Sequence, residues 1–396
     1  MSNSTAGSGI LVLTSTFPRW QGDSEPGFVF DLCRELVMAG HHVTVLAPHT
    51  KGASYQEEID GVSVRRFRYA PVSWERLAYR GGIMENLKRF PVLYALLPFF
   101  LLAQYVALVR CLRVRRYEAV HAHWLVPQGL LLLAVTGGLI KGNPRLVCTA
   151  HGSDVLALQG RHWSWLRRRM AGRCDKVVAV SDALRDSLLA DGCPPDKLAV
   201  IPMGTDLQHL FVPDGQQRAS SELLFVGRLV AGKGVEHLLR ALPGILANYP
   251  EIRLTIIGEG PERRLLEEIA KSLDVAAHVS FVGAKPHAAL AAHYRRATLL
   301  VLPSLAEGFG LVVVEAMGCA CPVVASALPV LKGLLQDGRA GRLFRPGDVA
   351  DLKDKICELL ASAALRVSLG ENGRLAVRER YDWQPVARRY AAVLLP

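Results

Sequence analysis

The chain reads as an α/β protein built from two doubly wound, parallel-sheet domains in succession. Three observations predict this. A length of 396 residues exceeds the size at which a single core stops growing. Wholly apolar runs of strand length alternate with amphipathic stretches of helix length, the pattern of strands covered on both faces. One stretch rich in Pro, Gly and polar residues, "FVPDGQQRASS" (211–221), interrupts the alternation, which then starts afresh.

Taken in order, the polar start "MSNSTAGS" lacks a basic segment, and "GILVLTS" (9–15) is short for a signal-peptide core. A first strand after a polar tail is therefore expected. "FVFDLCRELVMAG" (28–40) is a helix stopped by a glycine, and "HHVTVLAP" (41–48) is the next strand. "AVHAHW" (119–124), "RLVCTAHGSD" (145–154), "KVVAVSDALRDSLLADG" (176–192) and "LAVIPMGTD" (198–206) continue the series. Histidines and small polar residues fall at strand ends, where open α/β sheets bind ligands. The linker is placed near 205–220. The second series runs through "ELLFVGRL" (222–229), "IRLTIIGEG" (252–260), "HVSFVG" (278–283), "TLLVLPS" (298–304) and "PVVAS" (322–326). "ERYDWQPVARRYAAVLL" closes the chain as one or two helices.

Net charge is +11, with 24 Lys and Arg against 17 Asp and Glu in residues 1–210, and 23 against 19 thereafter. Basic residues cluster in "RVRR" (113–116) and "RHWSWLRRR" (161–169), which suits a phosphate-bearing partner. No RNA-type module with aromatics interleaved among cations is evident, so nucleic acid is not an expected partner. Eight cysteines, at 33, 111, 148, 174, 193, 319, 321 and 357, form no C-x-x-C pair and lie largely in apolar contexts. They read as reduced thiols of a cytoplasmic protein.

"PVLYALLPFFLLAQYVALV" (91–109) is uncharged for 19 residues, preceded by Lys88 and Arg89 and followed by Arg110, Arg113, Arg115 and Arg116. Its length admits a membrane span, a buried helix, or a helix lying in the interface with its ends held on anionic lipid. Pro98, the positive charge on both flanks and the sheet strand that must follow at 119 weigh against a span. A helix lying in the interface is expected. This predicts peripheral contact with anionic lipid at the inner face of the cytoplasmic membrane, with "RHWSWLRRR" as a second contact.

Three signals in the second domain carry chemistry. "GRLVAGKG" (227–234) places Arg228 and Lys233 on a glycine-rich loop after a strand. Two cations beside backbone that can approach closely suit a diphosphate, although a plain surface turn has the same look. The spacing is not that of a P-loop. "GEGP" (258–261) ends the next strand. "AEGFGLVVVEAMGC" (306–319) then sets Glu307 ahead of a helix starting near Gly310, and Glu315 a turn and a half inside it. Such a helix start favours an anion, and the two acids can each accept a pair of hydroxyls. Stabilisation of the helix dipole would also account for Glu307.

Together these stretches, with "GHHVTVLAP", "HAHW", "AHGSD", "VSDALRDSL", "IPMGTD" and "VSFVGAKPH", resemble the retaining, nucleotide-sugar-dependent glycosyltransferases of family 4 from about residue 10 to about 385. The resemblance implies the GT-B architecture, two Rossmann-like domains facing a cleft. It places an acceptor-side domain at 1–208, a donor-binding domain at 209–375 and a helical tail at 376–396 packing back on the first domain. It implies that Arg228 and Lys233 bind the donor diphosphate and that Glu307 holds hydroxyls of the sugar. Gly308, Phe309, Gly310 and Leu311 would meet sugar and phosphate, and Glu315 the ribose. Gly22, Gly227 and Gly258 would line the donor site. His151 would stand near the reacting carbon, with Asp154 and His123 on the acceptor side. UDP-sugars are the commonest donors in the family, with GDP-mannose as the alternative; the acceptor would be a lipid-linked or cell-envelope glycan.

No cofactor is expected. The chain has no D-x-D, so cations and helix N–H groups, rather than a metal, would stabilise the departing diphosphate. "HAH" lacks partners at zinc-ligand spacing. No protein nucleophile is assigned, because the departing phosphate can take the acceptor proton. Two departures from the family pattern stand out. The loop after the first strand, "PRWQGDSEPGF", offers Gly22 and Gly27 but no Gly-Gly pair, and "ALPVLKGLLQDG" after "PVVAS" has neither a Gly-Gly nor a Glu. They keep a non-catalytic protein on a decayed GT-B fold as a rival reading. A dinucleotide-dependent enzyme is disfavoured by the lack of G-x-G-x-x-G, and an epimerase or phosphorylase would need other acids or a cofactor lysine.

Overall fold

The computed structural model describes residues 9–23, 27–79, 82–135 and 141–396. The polar start and residues 24–26 of the loop after the first strand lie outside the described residues. The chain divides into two compact units, Met1–Gly204 with Trp383–Pro396, and Thr205–Asp382.

The first unit is built on β1 (Gly9–Leu13), β2 (His42–Pro48), β3 (Gln56–Ile59), β4 (Val62–Phe67), β5 (Ala119–His123), β6 (Arg145–Ala150), β7 (Lys176–Ala179) and β8 (Leu198–Val200). They form one sheet in the order β3-β4-β2-β1-β5-β6-β7-β8, parallel except where β3 runs antiparallel to β4. β1 is wholly buried at the centre, as its unbroken apolar run requires. The winding reverses between β1 and β5, so the C-terminal ends of these strands open a crevice. The predicted helix at 28–40 stops at Met38, with Gly40 in the left-handed region at φ 92°. The β3–β4 hairpin was not anticipated. Its turn is Asp60-Gly61, both at positive φ, the conformation a two-residue hairpin turn needs.

The apolar run at 91–109 becomes a 3-10 turn, Pro91–Leu96, leading into the helix Leu97–Val114. By length and composition the segment could cross a membrane. Its packing argues otherwise: Phe100, Gln104, Leu108, Cys111 and Leu112 are buried, and the helix lies on β2 and β4. Phe100 meets Phe67 and Tyr69 edge-on, and the Gln104 amide donates to Thr14 O (3.3 Å). A helix docked on a sheet in this way is not a span. It is not a fully buried helix either, because Phe99, Leu102 and Val106, on the opposite face, are 61%, 60% and 38% exposed.

The second unit carries β9 (Glu222–Val226), β10 (Arg253–Ile257), β11 (Val279–Gly283), β12 (Leu299–Leu302), β13 (Val323–Ser326) and β14 (Arg342–Phe344). All are parallel, in the order β11-β10-β9-β12-β13-β14. This is the Rossmann order, with the winding reversing between β9 and β12. Three-residue β14 was too short to stand out in the sequence. The helix Ala363–Arg378 runs through the boundary expected at 375, and the chain rejoins the first unit only at Trp383. There a single helix, Trp383–Leu394, packs on the helix Phe28–Met38. Arg145 Nε donates to Val393 O (2.8 Å), and a Cβ on Gly204 would come within 2.3 Å of the Trp383 ring.

Candidate active site

In the second unit, β9 and β12 are neighbours at the point where the winding reverses. The loops that follow them, 227–234 and 303–310, are tied together in three places. The Leu305 N–H donates to Gly232 O (2.9 Å). Gly234 sits at φ +63° so close to Pro303 that an added Cβ would stand 2.1 Å from its carbonyl oxygen. The Lys233 ammonium pairs with the Glu307 carboxylate. Two of the residues singled out in the sequence, 74 positions apart, are thus in direct contact. The buried Ser304 hydroxyl donates to the same Glu307 oxygen (2.8 Å), which fixes the carboxylate from a second side. Arg228, on the same loop as Lys233, is exposed.

Glycines make this loop possible. A Cβ on Gly258 would lie 1.8 Å from Gly227 O, and one on Gly260 would lie 2.2 Å from Leu229 O. The "GEG" segment after β10 therefore supports the Arg228 loop backbone to backbone, with the Leu229 N–H donating to Glu259 O (3.0 Å).

The helix Leu311–Gly318 starts after Gly310, which adopts φ +96°, and no side chain caps it. The Val313 N–H donates to Gly310 O (2.9 Å), so the N–H groups of Leu311 and Val312 and the helix dipole are what this start offers an anion. Gly308 and Phe309 precede it, the latter buried against Tyr381 with ring centroids 5.6 Å apart. Glu315, on the helix, is 3% exposed. Its Oε1 faces His287 Nε2 (2.8 Å) and its Oε2 accepts from the Tyr294 hydroxyl (2.8 Å). Burial, reinforced by the Glu315 charge, pushes the Tyr294 phenol well up, so it stays a donor. A carboxylate has about four acceptor sites, of which His287 and Tyr294 take two. Ser304, His287 and Tyr294 were missed in the sequence. The interval of seven between the last two, two helical turns, was the available signal.

The first unit gathers the histidines at the C-terminal ends of β5 and β6. His123 Nδ1 lies 2.9 Å from His151 Nε2, and His121 Nε2 lies 2.8 Å from Thr149 Oγ1. Desolvation lowers the pKa of His121 and His151 to about 3, and takes that of His123 well below its usual value, so all three are neutral near pH 7. His151 is half-buried, beside Phe28 and Trp124 with ring centroids 5.1 and 4.8 Å away. Asp154 is turned inward, 2% exposed. Its carboxylate accepts from the N–H groups of Leu125 (2.7 Å), His151 (3.1 Å) and Gly152 (3.0 Å), and so shapes the loop that presents His151. Gly22 occupies an exposed turn at φ +79° with open space around it. Among the described residues, no group of three or more His, Cys, Asp or Glu side chains is placed to hold a metal ion.

Residues 28–209 match the family described as Glycosyltransferase Family 4, and residues 214–376 match Glycosyl transferases group 1. The chain is 30% identical over 385 residues to the phosphatidyl-myo-inositol mannosyltransferase of Mycobacterium leprae, covering 92% of this chain and 91% of that one. It is 28% identical over 413 residues to the GDP-mannose-dependent alpha-(1-6)-phosphatidylinositol monomannoside mannosyltransferase of Mycolicibacterium smegmatis, covering 97% and 98%. Among solved structures, sucrose-phosphate synthase from Thermosynechococcus elongatus superposes with a TM-score of 0.80 at 24% identity, covering 98% of each chain. A Rossmann-ordered second unit with a paired Lys and Glu at its switch point, and family matches over nearly the whole length, lead to one conclusion: this chain is a hexosyltransferase of glycosyltransferase family 4, with the GT-B fold.

Proposed function

We propose that the protein is a retaining, metal-independent transferase that moves a hexose from a nucleoside diphosphate sugar to a lipid-linked acceptor at the inner face of the cytoplasmic membrane. The observation that carries this reading is the Lys233–Glu307 pair at the switch point beside an uncapped helix start. With donor bound, Lys233 exchanges its carboxylate partner for the diphosphate, joined by Arg228 and the N–H groups at the start of the helix Leu311–Gly318. The charge growing on the leaving phosphate is thereby stabilised without reorganisation. Glu307, released but still held by Ser304, takes up sugar hydroxyls. Glu315 keeps the ribose, backed by Tyr294. The departing phosphate takes the proton of the acceptor hydroxyl, so no protein nucleophile is needed and the sugar is delivered on the face it left.

The two relatives named above act, by their names, on phosphatidylinositol-based lipids as mannosyltransferases, which supports a lipid-linked acceptor and favours GDP-mannose over a UDP-hexose as donor. The apolar face of the helix Leu97–Val114, flanked by exposed Lys88, Arg89, Arg110, Arg115 and Arg116, supports docking on anionic lipid. Incubation with GDP-mannose or a UDP-hexose and a lipid acceptor in the presence of EDTA tests the reading. Transfer with retained anomeric configuration is expected. Loss of transfer in EDTA, restored by magnesium or manganese, would overturn metal independence, and an inverted product would overturn retention.

A further inference from the structure

The pairing of His123 with His151 has a chemical consequence. The two rings are stacked at 19° with centroids 5.2 Å apart, and only one hydrogen can lie between His123 Nδ1 and His151 Nε2. We infer that His123 is a positioning residue that donates its Nδ1–H to His151, holding the His151 proton on Nδ1 so that this side chain meets substrate as a neutral hydrogen-bond donor and not as a base. The inference rests on the reading of His151 as a group at the transfer site.

The other nitrogen of His123 decides the direction. His123 Nε2 is buried and has no hydrogen-bond partner among the described residues. A proton placed there would be a buried donor with nothing to receive it, which folded proteins rarely tolerate; a bare lone pair is tolerated better. The proton therefore sits on Nδ1, where His151 accepts it. His121 repeats the pattern two residues away on the same face of β5: its Nε2 is bonded to Thr149 Oγ1, and its buried Nδ1 is without a partner among the described residues. Protonating all the nitrogens is not an alternative, since burial keeps these rings neutral. Once His151 Nε2 is occupied as an acceptor, its remaining proton must lie on Nδ1. The Asp154 carboxylate bonds backbone N–H groups and not the His151 ring, so it does not compete for that proton.

Long-range proton–nitrogen correlation on the full-length protein labelled with 15N-histidine reads the tautomer directly, with His151 assigned by loss of its signals in His151→Gln. The wild-type protein is expected to show His151 with hydrogen on Nδ1. In His123→Leu the His151 signals should move to the ordinary Nε2–H tautomer and kcat should fall at least tenfold with KM little changed. His123→Asn, whose amide N–H can stand in for Nδ1–H, should restore both. A wild-type His151 protonated on Nε2, or a tautomer indifferent to His123→Leu, would overturn the inference. Should the Leu variant fail to fold, the wild-type spectrum alone decides. The tautomer is read without substrate: a protein with the predicted tautomer and no transferase activity sinks the functional reading, whereas an active enzyme with the other tautomer sinks only this inference.

Discussion

Gly234→Ala is the substitution whose effect the geometry specifies most fully. Gly234 follows Lys233 at φ +63°, a conformation that costs an L-residue about 1–2 kcal/mol. Its Cβ would stand 2.1 Å from the Pro303 carbonyl oxygen, which is backbone and cannot swing aside. Relief to an ordinary contact requires the two loops to part by about 1 Å, and misplacement on that scale costs catalysis about 100-fold. Those loops carry Lys233 on one side, and Ser304 and Glu307 on the other. The expected outcome is a loss of kcat/KM of roughly 100-fold, about 2.7 kcal/mol, with a lower Tm. Gly232→Ala is the matched control: nothing lies within 4 Å of its added Cβ, and its carbonyl still receives the Leu305 N–H. It should retain activity within about twofold, the ordinary range for an unstrained surface change. Steady-state kinetics and thermal unfolding on both variants decide the matter. A Gly234→Ala enzyme as active as Gly232→Ala would refute the claim that close apposition of these loops assembles the site.

The remaining predictions concern other parts of the molecule. Glu307→Ala should abolish turnover while leaving nucleoside diphosphate affinity nearly unchanged, whereas Glu315→Ala should weaken binding of the free nucleotide as well; calorimetric titration with GDP and UDP separates the two, and equal losses would contradict the division of labour. Phe99→Glu with Leu102→Glu should release the protein from anionic vesicles at low salt, since each exposed side chain contributes about 1.5–3 kcal/mol when buried; unchanged co-sedimentation would show that this face does not touch lipid. For pH, the folded-state pKa of about 3 for His121 and His151 lies below their unfolded values near 6.5. The unfolded chain thus binds more protons below pH 6.5, and stability falls from there toward pH 3. Equal urea midpoints at pH 7.5 and 5.5 would contradict this.

Much of this molecule was legible in the sequence because both sheets are parallel apart from β3 at the edge of the first. Buried parallel strands read as unbroken apolar runs, so β1, β9 and β12 announced themselves, and the position of Gly310 marked the helix start beyond Glu307. β3 was missed because an edge strand of "QEEI" carries no apolar run, although the Asp-Gly turn was a usable hairpin signal. Pairings between distant side chains leave weaker traces. Nothing local to Lys233 indicates Glu307 as its partner, and nothing in "HAHW" shows that His123 meets His151. The apolar run at 91–109 illustrates the limit of composition: a span, a core helix and a one-faced helix share it. Only the burial of Phe100, Gln104 and Leu108 opposite exposed Phe99, Leu102 and Val106 separates them.

The central claim, that the loop pair carrying Lys233 and Glu307 binds and activates a nucleoside diphosphate sugar, is tested most directly by following labelled hexose from GDP-mannose and UDP-hexose into a lipid fraction with wild type, Lys233→Ala and Glu307→Ala side by side. The account predicts label in lipid with the wild-type protein, and loss of at least 100-fold in both variants, because the cation that stabilises the leaving diphosphate or the acid that holds the sugar is gone. Wild-type protein that neither transfers nor hydrolyses any nucleoside diphosphate sugar, or a Lys233→Ala enzyme with undiminished transfer, would contradict it.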